Sequence, residues 1–224
     1  MSKKLEVHYW SDILCVWAYV SEVRVKELVS NFSSDIALTH AYFPVFGAAV
    51  GKLDALWADK GGRVAYNIHV RDIVARFGCL SVAPDIWLVN APVSSFPAHL
   101  YVCAAQWLEQ KGDLALGSST QLAWGLRSAF FAEGVDVSRR THIFEVAEQQ
   151  GVATSLLESA VASGAAYALL AGQATQAADA SIKTSPTLSF NEGRQRLSGN
   201  VGYRIIEANI RELLAPPNLR QSWC

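Results

Sequence analysis

The chain opens with a change of hydrophobic period that few folds can accommodate. Leu5–Trp10 alternates apolar and polar residues, which predicts a β-strand, and Val16–Phe32 repeats its apolar residues at helical spacing. Asp35–Phe43 then alternates again and stops before a proline. Two strands joined by one helix of this length lie parallel, with a right-handed crossover. The opening of the chain therefore predicts the start of an α/β sheet.

The middle of the chain predicts helices and no strand. Gly134 and Gly151 follow helical runs at positions typical of C-terminal caps, and Gly164 divides the longest run. The segment 80–97 contains three prolines and predicts a long irregular connection, of the kind often found beside a site. The helical runs cover residues 62–77, 98–111, 119–132, 138–150 and 154–180.

Strand signals return near the end of the chain. Thr187–Phe190 and Gln195–Ser198 flank a polar Asn-Glu-Gly turn, which predicts a hairpin. We expect a last amphipathic helix to begin at Gly199-Asn200 and to stop before the prolines at 216 and 217. The whole order predicts a small α/β sheet interrupted by an α-helical insertion.

Composition narrows the class of function. The chain has 224 residues, of which 51% are hydrophobic, and this is enough to bury a core. Its 19 Lys+Arg and 20 Asp+Glu give a net charge of −1, which argues against a nucleic-acid partner. The longest apolar stretch, around residues 160–174, is too short for a membrane span, and the N-terminus lacks the pattern of a secretory signal. We therefore expect a cytoplasmic protein with no membrane partner.

Four cysteines are scattered along the chain, and none is part of a Cys-x-x-Cys pair. Cys79 and Cys103 are expected to be small buried hydrophobes. His99 and Cys103 lie four residues apart, but no second pair completes a metal site, so we expect no metal. Cys15 differs because it lies where a predicted strand meets a predicted helix.

The position of Cys15 favours a reactive thiol. Free N–H groups and the dipole at a helix N-terminus stabilise a thiolate, and such cysteines have pKa values of about 3.5 to 7.5 in place of about 8.5. We therefore expect the pKa of Cys15 to be lowered. The alternative is a buried thiol that fills space under the sheet. A proline before the strand at 187 adds little by itself, because strands tolerate proline at their first residue.

Several motifs, considered together, resemble the DsbA-like branch of the thioredoxin superfamily. This branch includes cytoplasmic DsbA-like oxidoreductases, 2-hydroxychromene-2-carboxylate isomerases and kappa-class glutathione transferases. The motifs are Ser-Asp-x-x-Cys-x-Trp-x-Tyr at 11–19, Ser-Ala-Phe-Phe-Ala-Glu-Gly at 128–134, Thr-Ser-Pro-Thr at 184–187 and the segment Gly-Asn-Val-Gly-Tyr-Arg that starts at 199.

The resemblance implies a thioredoxin-like fold with a large all-helical insertion between the second strand and the cis-proline strand. Residues 1–45 and 181–217 would form a discontinuous thioredoxin-like domain, and residues 46–180 would form the insertion. It also implies a small thiol or hydrophobic substrate, glutathione as co-substrate without a tightly bound cofactor, and a homodimer as one possible assembly. The implied site has Cys15 as the catalytic residue and, as substrate- or thiol-binding residues, Ser11, Asp12, Trp17, Ser185, Pro186, Gly199 and Asn200.

One departure from the redox members bears on the mechanism. Ala18 stands where they have the second cysteine, which resolves the mixed disulfide that the first cysteine forms. The sequence therefore predicts a DsbA-like thiol-disulfide oxidoreductase with a single active-site cysteine. A glutathione-dependent isomerase or kappa-like transferase acting on a hydrophobic molecule is the enzymatic alternative. A thioredoxin-fold binding protein without turnover is the third hypothesis.

Overall fold

The computed structural model describes residues 4–215, which contain one four-stranded sheet. The strand order is β2-β1-β3-β4, with β1 and β2 parallel and the other two pairs antiparallel. The predicted parallel pair and the predicted hairpin are both present. The strands are β1 (Leu5–Ser11), β2 (Ile36–Tyr42), β3 (Thr187–Phe190) and β4 (Gln195–Ser198).

Nine α-helices accompany the sheet in the described part of the chain, and seven of them lie between β2 and β3 in sequence. α2 was not predicted, because its 9 residues are fewer than the roughly 11 to 18 over which a helical period can be recognised. The helices are α1 (Val16–Phe32), α2 (Ala49–Trp57), α3 (Gly62–Ala75), α4 (Phe96–Lys111), α5 (Ser118–Glu133), α6 (Arg140–Gln149), α7 (Thr154–Ala162), α8 (Ala165–Asp179) and α9 (Tyr203–Leu214).

The start of the last helix differs from the prediction. α9 begins at Tyr203 with Gly202 as its N-cap, three residues later than expected. Gly199 has φ +80°, a backbone conformation that favours glycine, and its carbonyl accepts the Val201 N–H at 3.0 Å. The chain therefore needs a turn after β4 before a helix can form, and Asn200 belongs to that turn.

Hydrophobic residues pack in two main clusters. One lies between the sheet, α1 and α9, and contains Val7, Leu28, Phe190 and Ile210. The other fills the helical insertion and extends to Cys15 and its neighbours at the start of α1. The N-terminal turn of α1 is consequently part of the insertion's core.

The outer edge of β2 is covered by two glutamine side chains. Gln106 Nε2 donates to the carbonyl of His40, and the N–H of Tyr42 donates to Gln173 Oε1, both at 2.8 Å. Gln173 Nε2 also donates to Gln106 Oε1 at 2.8 Å. Because the glutamines belong to α4 and α8, this amide pair attaches the insertion to the sheet.

The helices α7 and α8 are rich in alanine. Neither of them, and no other single helix within residues 4–215, has the length and hydropathy to cross a membrane. Together they meet those two criteria, but they are bent by 72° at Gly164, where φ is +83°. Both helices pack against α4.

Candidate active site

Cys15 and the Ser185-Pro186 segment meet in space although they lie 170 residues apart in sequence. Cys15 is the N-cap residue of α1, as its position after β1 predicted. Its Sγ donates to the carbonyl oxygen of Ser185 at 3.1 Å. The Ser185–Pro186 peptide bond is cis, as the resemblance implied. The chain thus brings a thiol, a helix N-terminus and a cis-proline loop together.

The ionisation of Cys15 is the point at which the sequence prediction is wrong. Only 5% of the residue is exposed, and this burial raises the pKa of the thiol above its ordinary value. The side chain of Ser185 and the backbone amides of Ala18 and Trp17 lower the pKa, whereas the charge of Asp12 raises it further. Loss of water therefore outweighs the helix terminus, and Cys15 is a protonated donor in this conformation.

Asp12 is fully buried, and its carboxylate holds three segments together. Oδ1 accepts the N–H of Leu14, and Oδ2 accepts the N–H of Phe46 and the hydroxyl of Ser95, each at 2.8 Å. Burial opposes its ionisation, but the positive charge of a protonated His99 and the two backbone hydrogen bonds hold the pKa of Asp12 below its usual range. The side chain is an internal anchor for the turn before Cys15.

His99 is a site residue whose role the sequence did not reveal. Its Nε2 accepts the N–H of Ile13 at 3.1 Å and lies 3.5 Å from Oδ1 of Asp12. Cys103, the potential metal partner, instead donates to Gln173 Oε1 at 3.7 Å. No group of three potential metal ligands occurs within residues 4–215. A lone histidine on an apolar helix gives no local sequence signal for this contact.

Ser11, the last residue of β1, contacts the buried guanidinium of Arg127. Its Oγ accepts from Nη2 of Arg127 at 2.6 Å, and Nη1 of that arginine lies 3.8 Å from Oε2 of Glu22. Arg127 is 1% exposed and comes from α5 of the insertion. Ser11 therefore links the sheet to a buried ion pair, and the sequence did not indicate Arg127.

Trp17 and Ala18 occupy the first turn of α1. Trp17 is half-buried and packs against the core of the insertion. Ala18 is fully buried. Cys79 and Cys103 are also free, and Cys79 is exposed, contrary to the expectation of a buried residue.

The cis-proline loop lies against the Cys15 turn and against the turn after β4. Oγ of Ser185 accepts the N–H of Asp12 at 2.9 Å, and the N–H of Gly199 donates to the carbonyl of Pro186 at 2.7 Å. Asn200 is exposed, and its side chain accepts from Arg24 of α1. Arg24 is a further neighbour of this loop that the sequence did not single out, because charged residues on an amphipathic helix are common.

Aromatic side chains of the insertion form the core into which Cys15 packs. Trp87 belongs to the irregular segment 80–95, is fully buried and has φ +67°. Its ring lies 5.5 Å from that of Phe46, 5.8 Å from that of Tyr66 and 4.9 Å from that of Phe130. These rings are packed against one another in the same hydrophobic cluster as Cys15.

Comparison with known proteins identifies the fold. No protein-family model and no curated protein sequence matches the chain. Among solved structures, a probable DsbA oxidoreductase from Streptomyces coelicolor superposes with a TM-score of 0.69 at 20% identity, covering 96% of this chain and 93% of that one.

Two further structures extend the likeness. The cytosolic disulfide reductase DsbM from Pseudomonas aeruginosa with GSH has a TM-score of 0.65 at 17% identity, covering 92% of this chain and 100% of that one. A 2-hydroxychromene-2-carboxylate isomerase has a TM-score of 0.65 at 14% identity, covering 93% and 95%. At these identities the likeness shows the fold: a DsbA-like thioredoxin fold with a helical insertion, as predicted.

Proposed function

We propose that this chain, which has the DsbA-like thioredoxin fold, is a single-cysteine thiol-disulfide oxidoreductase acting on thiols, disulfides or glutathione adducts. The observation that carries the proposal is the contact of Cys15 Sγ with the Ser185 carbonyl, beside Pro186 and at the start of α1. The disulfide reductase from Pseudomonas aeruginosa, solved with GSH, supports the same reading by its shared fold. We propose the reducing cytoplasm as the compartment.

The chemistry consists of two exchanges that balance. The Cys15 thiolate attacks one sulfur of a disulfide R–S–S–R′, so that Cys15–S–S–R forms and R′–S⁻ leaves. A second thiolate, such as that of glutathione (GS⁻), then attacks the R sulfur of Cys15–S–S–R, so that GS–S–R forms and the Cys15 thiolate leaves. Ala18 cannot perform this second attack, so an external thiol is the co-substrate in the proposed cycle.

Attack requires that the insertion residues packed against Cys15 move away first, because only 5% of Cys15 is exposed. In the closed form burial keeps the thiol protonated. When water reaches Sγ, the cost of desolvation disappears, while the amides of Trp17 and Ala18 and the helix dipole remain. Opening and activation of the thiol are therefore the same event in this proposal.

The binding surface for the thiol would be formed by the cis-proline loop and the turn after β4. An extended peptide can pair with the backbone of a cis-proline loop as an added strand. Ser185 and Pro186 supply that backbone, and Gly199 lies beside them. Arg24, which contacts Asn200, places a positive charge near this edge and suits a carboxylate such as those of glutathione.

A second candidate is a glutathione-dependent isomerase or transferase for a hydrophobic molecule. Two observations favour it. The Cys15 thiol is a hydrogen-bond donor with a raised pKa, which suits a group that holds a ligand more than one that attacks. The aromatic cluster around Trp87 suits an apolar substrate. The isomerase with the same fold supports this candidate.

The experiment is incubation of the folded protein with glutathione disulfide, followed by peptide mass mapping. We expect one glutathione on Cys15, released by added thiol, and catalytic reduction of a glutathionylated peptide that is lost in Cys15→Ser. The matched control is Cys79→Ser, which removes an exposed cysteine and keeps the activity. Modification of Cys79 without any adduct on Cys15 contradicts the oxidoreductase. Retained turnover of a hydrophobic glutathione conjugate in Cys15→Ser favours the isomerase or transferase.

A further inference from the structure

His99 is a buried histidine of the insertion whose Nε2 faces two partners with opposite requirements. The backbone N–H of Ile13 donates to this atom at 3.1 Å, and Oδ1 of Asp12 lies 3.5 Å from it. Only an unprotonated nitrogen can accept the Ile13 N–H, and only a protonated nitrogen can donate to the carboxylate. One atom cannot serve both partners at the same time.

The structure shows the arrangement of a neutral ring. The Ile13 contact is within hydrogen-bond range, whereas 3.5 Å is long for a charge-assisted bond. A neutral histidine that accepts at Nε2 carries its proton on Nδ1, and Nδ1 is buried without a partner among the described residues. Protonation of Nε2 would exchange the Ile13 bond for an ion pair with Asp12.

Both partners belong to the turn that ends at Cys15. The carboxylate of Asp12 also accepts the N–H of Leu14, and the backbone carbonyl of Asp12 accepts the N–H of Cys15 at 3.2 Å. A change of partner at His99 therefore alters how the backbone just before the thiol is held. It also changes how far the Asp12 charge, which opposes ionisation of Cys15, is balanced.

Few other titratable groups face the ring. From β2, the ring of Tyr42 lies 5.7 Å away, and from the turn before α1 Asp12 is the acidic neighbour. On α4 itself, Ser95 donates to Asp12, and Cys103 donates to Gln173. Among these contacts Asp12 is the one that an imidazolium would favour.

We propose that His99 is a positioning residue for Cys15, which holds the Ile13 amide when neutral and the Asp12 carboxylate when protonated. This inference rests on the proposed role of Cys15 as the reacting thiol. Its consequence is a coupled titration: Cys15 ionises more readily when His99 is charged than when it is neutral. A residue of the helical insertion thereby sets the reactivity of the thiol at the start of α1.

The tautomer of His99 provides the first test, which needs no catalytic activity. NMR spectra of protein labelled with ¹⁵N-histidine, assigned by comparison with His99→Gln, report which ring nitrogen carries the proton. We expect the proton of the neutral ring on Nδ1. A neutral ring with its proton on Nε2 overturns the proposal.

The second test is the pH profile of Cys15 alkylation by iodoacetamide, followed by peptide mass mapping. A single uncoupled thiol below its pKa changes rate tenfold per pH unit. We expect a shallower dependence in the wild-type protein across the titration of His99. In His99→Gln we expect the tenfold dependence throughout, because the glutamine oxygen can accept the Ile13 N–H without titrating.

The matched control is His142→Gln, which changes a half-buried histidine on α6 whose Nδ1 contacts the carbonyl of Asp136. It should reproduce the wild-type profile. The same shallow profile in His99→Gln, or a tenfold dependence in the wild-type protein, overturns the proposal. Alkylation involves no disulfide exchange, so a protein that never forms the mixed disulfide still yields this result, and the two failures are distinguishable.

Discussion

The two ends of β1 pack in contrasting ways. Towards its start, Val7 joins Leu28 and Ile210 in a purely apolar layer between the sheet, α1 and α9. At its far end, Ser11 and Arg127 begin a layer of buried polar groups that continues to Asp12 and Cys15. The start of β1 therefore stabilises the fold by burying apolar side chains, whereas its end fixes the positions of buried charged side chains.

The largest expected loss of stability is at the polar end of β1, in Arg127→Leu. The substitution leaves the Glu22 carboxylate buried without its partner, and breaking a buried ion pair in this way costs about 3–5 kcal/mol of unfolding free energy. Urea denaturation measures this loss. The double variant Arg127→Leu with Glu22→Gln should recover most of it, and no recovery would show that packing of Arg127, and not its charge, is what matters.

The next effect is at the apolar end, in Leu28→Ala. Removal of a fully buried leucine costs about 2–5 kcal/mol, because apolar burial is lost and a cavity remains. The alkylation rate of Cys15 in the folded protein should stay unchanged, since Leu28 belongs to the other cluster. A changed rate would show that the two ends of the strand are coupled.

A smaller effect is expected in Asp12→Asn. An amide at this position cannot accept from Leu14, Phe46 and Ser95 together, and a buried donor without a partner costs about 1–3 kcal/mol. Removal of the negative charge should also lower the pKa of Cys15, which its alkylation profile measures. An unchanged profile would contradict the electrostatic role of Asp12.

The pH dependence of stability gives a related prediction. The folded pKa of Asp12 lies below the unfolded value of about 3.9, so its ionised form stabilises the fold above that value. This contribution is lost as the pH falls through the folded pKa. Unfolding free energies between pH 2 and pH 6 should therefore fall more steeply with acid in the wild-type protein than in Asp12→Asn, and parallel curves would contradict the ionised state.

The smallest expected effect is a difference in alkylation rate between Cys15 and Cys79 of the wild-type protein. Burial raises the pKa of Cys15, and each unit reduces the thiolate fraction tenfold, whereas Cys79 is exposed. Peptide mapping after brief iodoacetamide treatment at pH 8 should find Cys79 modified faster than Cys15. Equal rates would show that the insertion residues packed against Cys15 are moved away for much of the time.

The sequence predicted the elements of the fold but not the burial of the polar groups at the site. Hydrophobic period locates β1, α1, β2 and the hairpin, because alternation and helical spacing are local properties. The meeting of Cys15 with Pro186 was implied by the resemblance of the motifs and not by hydrophobic period. The raised pKa of Cys15 was not predictable in this way, since burial comes from the insertion, whose packing depends on contacts distant in sequence.

The partners of Asp12 show the same limit. Ser95 and His99 lie more than 80 residues away in sequence, on a helix whose apolar pattern gives no indication of a polar contact. α2 was missed because it has only 9 residues, and α9 begins later than predicted because a turn at Gly199 precedes it. Local patterns identify elements, but they do not identify which buried polar groups will meet.

The glutamine pair on β2 has a consequence for how this molecule behaves among copies of itself. The exposed backbone of an edge strand can pair with a strand of another chain, and such pairing is a common route to aggregation. Gln106 and Gln173 already occupy the outward carbonyl of His40 and the outward amide of Tyr42. Two side-chain amides thus imitate a neighbouring strand and discourage unlimited polymer growth there.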